Sequence, residues 1–409
     1  MIQQIQIQFL IGCRVLLESI LNAAGMFRLA PLFRGQPAQR KRIAFQAYSI
    51  HLAQQYQTII AELLKAPDEY EVVFILLPHP HFSRKSLQQL REFARSQLHI
   101  PVGKIHFSWQ VLWEKFDLVV YNDVFAKFLL RKSQKCLLQH GIMINHRWLK
   151  PRLFRKTAKD FDIILLNDES DIELIRAHYY DKFATPKMYH IGMPYLDRLS
   201  LLDEDSGHYL RELAPRRQKV NVLFAPSWSG LNLLENQGRD YVDRVMAILT
   251  QMDLNTVVKL HACSYNKIMA GGIDWKKQLQ KFAGYENVMI DYDVDDIPAL
   301  KYCDVLITDI SSRAFNFMLL DKPVIYYFPT AEVRNTMDAN RIAQLKQNAF
   351  TAASPENIRE ILQQLTANGS GKSSANSTAG RLMTGRSDAT KAAVHIMVEN
   401  MNHTGAATA

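Results

Sequence analysis

The residues of this chain best equipped to act on a phosphate sit at the ends of short apolar runs. "DVLITDISSRAFNFMLLDKPVIYY", residues 304–327, places Asp309, Ser311 and Ser312 between a β-branched run and an apolar stretch that Pro323 closes. Residues 305–308 read as a buried strand, 314–320 as a helix and 324–328 as the next strand. In such a tight βαβ unit the strands are parallel and share one carboxyl edge. Ser311 or Ser312 then falls at the helix N-cap, beside unpaired N–H groups at the positive end of the dipole. The pair either only caps the helix or holds a phosphate there.

Two histidines have matching settings. His140 ends the apolar run "KCLLQHG" and precedes Gly141, where backbone or substrate can come close. An imidazole there can take a proton from an attacking hydroxyl near neutral pH, or serve structure through a backbone bond. His261 ends "VVKLH", with Lys259 two residues earlier on the same strand face, so both can meet a phosphate. His79 and His81 in "PHPHF" share one face of an extended segment, but no further ligands accompany them, and they read as loop residues.

"HRWLKPRLFRKTAK", residues 146–159, interleaves Arg147, Lys150, Arg152, Arg155 and Lys156 with Trp148, Leu149, Leu153 and Phe154. No nucleic-acid module surrounds it. Contact with an anionic acceptor or membrane is expected, against the plainer reading of a solvated helix face.

The elements that must position these groups recur along the chain. Six strand-like runs, "RIAFQAYS", "YEVVFILLP", "FDLVVYND", "KCLLQHG", "FDIILLND" and "KMYHIGMP", are followed by a charged stretch at 203–219. The pattern then restarts with "VNVLFAPS", "NTVVKLHA", "NVMIDYD", "CDVLITD" and "PVIYYF". Strands alternating with helices twice over mean two α/β domains with parallel sheets, in which ligands bind outside the carboxyl ends of the strands. That rule adds Ser227 to the short list. The expected organisation is an amphipathic, basic N-terminal segment over 1–41, a first domain over 42–205 and a second over 206–366. A flexible segment and a possible last helix then occupy 367–409.

The 409 residues carry a net charge of +9, which favours anionic partners. Four cysteines, Cys13, Cys136, Cys263 and Cys303, show neither a disulfide framework nor zinc spacing, so no metal is expected and a reducing cytosol fits. No apolar run is long enough to span a bilayer. The opening "MIQQIQIQFLIGCRVLLESILNAAG" has no basic leader and reads as an amphipathic helix. It either lies on an anionic membrane or packs on the protein's own core.

"QHG" at 139–141, "LFAPSW" at 223–228, "KLH" at 259–261 and above all the block at 304–327 resemble the CDP-glycerol glycerophosphotransferases of teichoic acid primase and polymerase type. The resemblance covers roughly residues 135–330 and is most specific in its last block. It implies a GT-B-like fold, two Rossmann-like domains facing a central cleft, with the nucleotide held by the second domain. It implies His140 as base, His261 as second histidine and Ser311 and Ser312 as phosphate ligands, with no cofactor. The implied partners are CDP-glycerol and a lipid-linked or polymeric anionic acceptor; the amphipathic, basic start adds the inner face of the cell membrane as an expected partner, and no nucleic acid is expected. Ser229 where the family usually has Arg, Ile310 in "TDISS" where it has Tyr, and "FPTAEVRNTMDANR" after the last strand depart from the pattern. A GT-B glycosyltransferase or epimerase using a UDP- or CMP-linked sugar remains the alternative.

Overall fold

The computed structural model describes residues 40–79, 83–123, 130, 133–141, 161–179, 186–202, 209, 219–227, 238–267, 270–309, 311–327, 339–367 and 388–406. The expected N-terminal amphipathic helix lies outside them.

Seven strands form the first sheet: β1 (Lys41–Ala47), β2 (Tyr70–Leu76), β3 (Ile105–Phe107), β4 (Leu118–Tyr121), β5 (Gln134–Leu138), β6 (Ile163–Leu166) and β7 (Lys187–His190). Their order is β3-β2-β1-β4-β5-β6-β7. The second sheet contains β8 (Asn221–Phe224), β9 (Asn255–Val258), β10 (Val288–Ile290), β11 (Val305–Thr308), β12 (Val324–Tyr327) and β13 (Phe350–Ala352). It is ordered β10-β9-β8-β11-β12-β13. Both orders follow the doubly wound 3-2-1-4-5-6 pattern, with the reversal between β1 and β4 in one and between β8 and β11 in the other. Adjacent strands run parallel, for example Ile43 opposite Val72 and Leu306 opposite Leu223.

The second sheet is buried on both faces, as its β-branched runs require. Val222, Phe224, Val258, Val305 and Ile307 pack on one side with Val242, Val245, Leu249 and Trp275. Leu223, Val257, Leu306 and Tyr326 pack on the other with Ala299, Leu300, Phe315 and Phe317. Successive residues of each strand thus enter opposite cores, which is the period of two expected of a strand. Each fully buried Leu, Val or Phe contributes about 1.5–3 kcal/mol, so these two layers fix where the strand ends fall.

The helix Arg313–Leu319 ends where Asp321 turns left-handed at φ 54°. The Lys322 N–H then closes on the Phe317 carbonyl at 3.0 Å before Pro323 leads into β12. The Lys322 ammonium donates to the carbonyls of Leu300, Lys301 and Cys303 at 2.7, 2.7 and 2.8 Å, tying this turn to the neighbouring helix Ile297–Tyr302.

By internal contacts the chain divides into two compact units. One comprises Met1–Leu138, Asp160–Ile164 and Ala393–Ala409, the other Gln139–Lys159 and Leu165–Ala392. The last helix is present at Ala389–Ala406. Among the described residues no helix is long and apolar enough to cross a membrane.

Candidate functional site

At the reversal of the second sheet the loop after β8 meets the loop after β11. The Ser227 N–H donates to Asp309 Oδ1 at 2.6 Å, and Asp309 is fully buried. Below it, the Thr308 hydroxyl donates to the Ala225 carbonyl at 2.7 Å. Asp309 is therefore a clamp between two strand ends. A buried carboxylate accepting a backbone N–H holds that loop more tightly than a neutral bond does.

The serine pair divides its work. Ser311 N–H donates to the Asp309 carbonyl at 2.7 Å, and Ser311 Oγ accepts the Arg313 N–H at 3.2 Å. Ser312 occupies the formal N-cap, yet its side chain makes no cap bond. Only one of the two hydroxyls is thus used to start the helix.

Within the same compact unit lies the Gln139–Gly141 corner. Gln139 Nε2 donates to Asp171 Oδ2 at 2.7 Å, while Gln139 Oε1 accepts the Asn167 N–H at 2.7 Å. With its amide turned so that oxygen and nitrogen each meet a partner, the Asn167 side chain donates to the Gly192 carbonyl and accepts the Gly141 N–H, each at 3.1 Å. These bonds fix the loop that carries the half-buried His140. Gly141 faces Ser312: a Cβ added at Gly141 would stand 3.2 Å from Ser312 Oγ. The structure therefore brings the "QHG" corner and the serine corner together.

His261 follows β9 and starts a short 3-10 turn. Its Nδ1 accepts the Cys263 N–H at 3.2 Å, which leaves Nε2 as the proton-bearing nitrogen of the neutral ring. Lys259 is 1% exposed, and its ammonium donates to Asp291 Oδ2 at 2.7 Å and the Asp293 carbonyl at 2.6 Å. Asp291 also accepts the Tyr209 hydroxyl at 3.0 Å. Lys259 sits inside the fold rather than presenting its charge at the surface.

Arg313, which sequence reasoning passed over, links these parts. Its guanidinium forks onto Asp296, Nε to Oδ2 at 2.9 Å and Nη2 to Oδ1 at 2.8 Å, and Nη1 reaches the Lys259 carbonyl at 3.2 Å. Burial disfavours that charge, and Asp296 outweighs the penalty, so Arg313 stays more basic than an ordinary arginine. Asp295 holds Arg198 in the same forked manner. The aspartates of "DYDVDDIP" are the sequence signal for this anchoring, since an acidic run at a strand end needs buried cations to stay folded.

The remaining expected residues are placed less fully. Arg147, Lys150, Arg152, Arg155 and Lys156, like His81 and Trp228, lie outside the described residues. His79 stacks on Tyr48 with ring centroids 4.5 Å apart, and the Tyr48 hydroxyl donates to Asp123 at 2.7 Å. Among the described residues no group of three or more His, Cys, Asp or Glu could hold a metal ion.

Two doubly wound sheets with polar groups collected at a reversal define a GT-B-like α/β protein. The family model described as CDP-Glycerol:Poly(glycerophosphate) glycerophosphotransferase matches residues 28–379, and the chain belongs to that family. Among curated proteins it is similar to the teichoic acid glycerol-phosphate primase of Bacillus spizizenii, 26% identical over 188 residues, 45% of this chain and 44% of the relative. The primase of Bacillus subtilis strain 168 is 23% identical over 175 residues, 42% of this chain and 41% of the relative. The matched region thus spans less than half the length of either relative.

The wall teichoic acid polymerase TagF is a structural neighbour, with TM-score 0.59, 15% identity, and coverage of 97% of this chain and 98% of that one. A variant of TagF soaked with CDPG superposes with TM-score 0.59 at 14% identity, covering 96% of this chain and 98% of that one. A putative UDP-N-acetylglucosamine 2-epimerase from Listeria monocytogenes reaches TM-score 0.62 at 15% identity, covering 90% of this chain and 97% of that one. At such identities the likeness concerns the fold.

Proposed function

We propose that this protein transfers glycerol phosphate from CDP-glycerol to a hydroxyl of a membrane-associated glycan or glycerophosphate acceptor and releases CMP. The observation that carries the reading is the approach of Gly141, next to His140, to Ser312. A base and a phosphate-binding hydroxyl then flank one point.

In this mechanism His140 takes the proton of the acceptor hydroxyl as its oxygen attacks the β-phosphorus of CDP-glycerol. The new O–P bond forms as the bond from that phosphorus to the CMP oxygen breaks, and the electron pair leaves with CMP. Phosphoryl transfer is catalysed chiefly by positioning and charge stabilisation. Ser312 Oγ and the Nε2–H of His261 donate to the phosphate oxygens. Ser311, Ser227, Asp309 and Lys259 are positioning residues, acting through the loops that they fix. The family match and the soaking of CDPG into the related polymerase support the choice of donor.

Attachment to the inner face of the cell membrane through residues 1–41 and the basic segment at 147–156 completes the reading. Acceptors of cell-surface polysaccharide synthesis are expected there. Deleting residues 1–41 should release the protein from anionic vesicles, as should high salt, since the screening length falls to about 3 Å at 1 M. Undiminished sedimentation of the truncated protein would shift the anchor to the basic segment.

The likeness to a 2-epimerase keeps a UDP-sugar enzyme as the competing reading. A thermal-shift panel separates the two. Cytidine nucleotides should stabilise the protein by linkage and uridine nucleotides should not. Incubation with CDP-glycerol and lipid-linked glycans, followed by mass analysis, should show acceptors heavier by one glycerol phosphate or more. Stabilisation by uridine nucleotides alone, with no such product, overturns the proposal.

A further inference from the structure

In the same compact unit as the serine corner, the carboxyl edge of β9 and β10 carries an aromatic corner that the reaction above does not use. Tyr292 stands two residues past the end of β10 and is 46% exposed. Tyr265 meets it edge to face, with centroids 5.2 Å apart at 62°. Lys276 Nζ stands 5.5 Å from the Tyr292 centroid and 5.9 Å from that of Tyr265. A singly exposed tyrosine is ordinary. One whose ring is steadied by a second ring and a cation, on the ligand-binding edge of a doubly wound sheet, is a preformed platform.

The backbone beneath the platform is pinned on both sides of Tyr292. Lys259 Nζ bonds the Asp291 carboxylate at 2.7 Å and the Asp293 carbonyl at 2.6 Å. The Asp293 N–H returns to Asp291 Oδ1 at 2.7 Å. Burying a lysine is costly unless it is paired, and here that cost yields a rigid support for Tyr292.

Charge decides what the platform can take. Asp291, Asp295 and Asp296 have Lys259, Arg198 and Arg313 as ion-pair partners. Asp293 is exposed and adds a further negative charge. With those three paired and Lys276 offsetting Asp293, the platform has little net charge to draw a phosphate, whereas the exposed Asp293 carboxylate offers an acceptor to a planar ring bearing N–H donors. Cytosine, with its 4-amino group, has that chemistry. Uracil presents a carbonyl in the same place.

We infer that Tyr292 is the stacking platform for the nucleobase of a cytidine nucleotide, steadied by Tyr265 and Lys276. The inference rests on the donor reading above and extends it: the serine corner takes the phosphates, and the base lies on the strand β10 side. Lys259 then serves the donor indirectly, by fixing the segment that carries the ring.

Calorimetric titration of the full chain with CDP-glycerol, CMP, cytidine and uridine tests it, using the wild type and the variants Tyr292→Ala and Tyr292→Phe. Stacking on an aromatic ring is worth roughly a ten-fold change in affinity or more. Tyr292→Ala should weaken CDP-glycerol, CMP and cytidine by the same factor, because all three share the base. Tyr292→Phe keeps the ring and should bind all three nearly as the wild type does, and uridine should bind more weakly than cytidine throughout. The exposed position leaves the fold intact, which an unchanged melting temperature of the free variants verifies. Wild-type binding of CDP-glycerol with Tyr292→Ala equal to wild type for cytidine overturns the platform and leaves the donor reading standing. A wild type that binds no cytidine nucleotide overturns both.

Discussion

Gly141 lies so close to Ser312 that a Cβ added to it would be 3.2 Å from the serine hydroxyl. That spacing is tighter than an ordinary van der Waals contact, so a side chain at 141 must displace the group assigned to the phosphate. Gly141→Ala should lower turnover about ten-fold, and Gly141→Val should lower it further, while stability changes by under about 1 kcal/mol, as a local shift near a surface loop implies. Steady-state kinetics beside thermal melts separates the two effects. Full activity in Gly141→Val would show that the two corners need not stay in register.

The loop that carries His140 is held by its neighbours, since Gln139 bonds Asp171 and Asn167 bonds Gly141. Removing the imidazole should therefore leave the loop in place. His140→Ala is expected to lose roughly 10²–10⁴-fold in kcat, the usual value of general-base assistance, with CDP-glycerol affinity nearly unchanged. Single-turnover assays and equilibrium titration check both halves. Near-normal turnover would remove His140 from the mechanism.

The two serines should respond differently. Ser311 Oγ accepts the Arg313 N–H, so Ser311→Ala should cost about 0.5–2 kcal/mol of stability, as the loss of a cap does. Ser312 makes no cap bond. Ser312→Ala should leave the melting temperature almost unchanged and weaken CDP-glycerol and CMP about ten-fold, the worth of a hydrogen bond to a charged group. Cytidine, which has no phosphate, should bind as before. Equal losses for cytidine and CMP would make the corner purely structural.

Much of the fold is legible in the sequence because the strands that build both cores are runs of three to seven mostly apolar and β-branched residues between polar punctuation. β3 and β13 escaped because "IHF" and "FTA" each interrupt a three-residue run with a polar residue, whereas the equally short β10, "VMI", is apolar throughout. Strand-end polarity drew attention to Asp309, Ser311 and Ser312, but pairings that cross the chain could not be read. The clamp of Asp309 on Ser227 joins residues 82 apart, and Lys259 meets Asp291 across 32 residues. Parity placed Lys259 on the His261 face of its strand, yet the carboxylate that satisfies it comes from the next strand's end. Arg313 was passed over for the same reason, its partners lying 17 and 54 residues away.

Cys263 offers a pH-dependent test of the His261 corner that is independent of turnover. Its N–H caps His261 Nδ1, and burial pushes its thiol up to about 11. Desolvation disfavours the thiolate, so at pH 8 only about one molecule in a thousand carries the reactive form. Alkylation of Cys263 by iodoacetamide, followed by peptide mass mapping, should be slow at pH 8 and rise about ten-fold per pH unit toward pH 10. Cys136 and Cys303, buried still more completely, should label only on unfolding. If His261 donates to the phosphate, saturating CDP-glycerol should slow the labelling of Cys263 at every pH without changing the slope, because the ligand blocks access and not ionisation. Rapid labelling at pH 7 would contradict the buried setting of the thiol, and an unchanged rate with CDP-glycerol bound would place the phosphate away from His261.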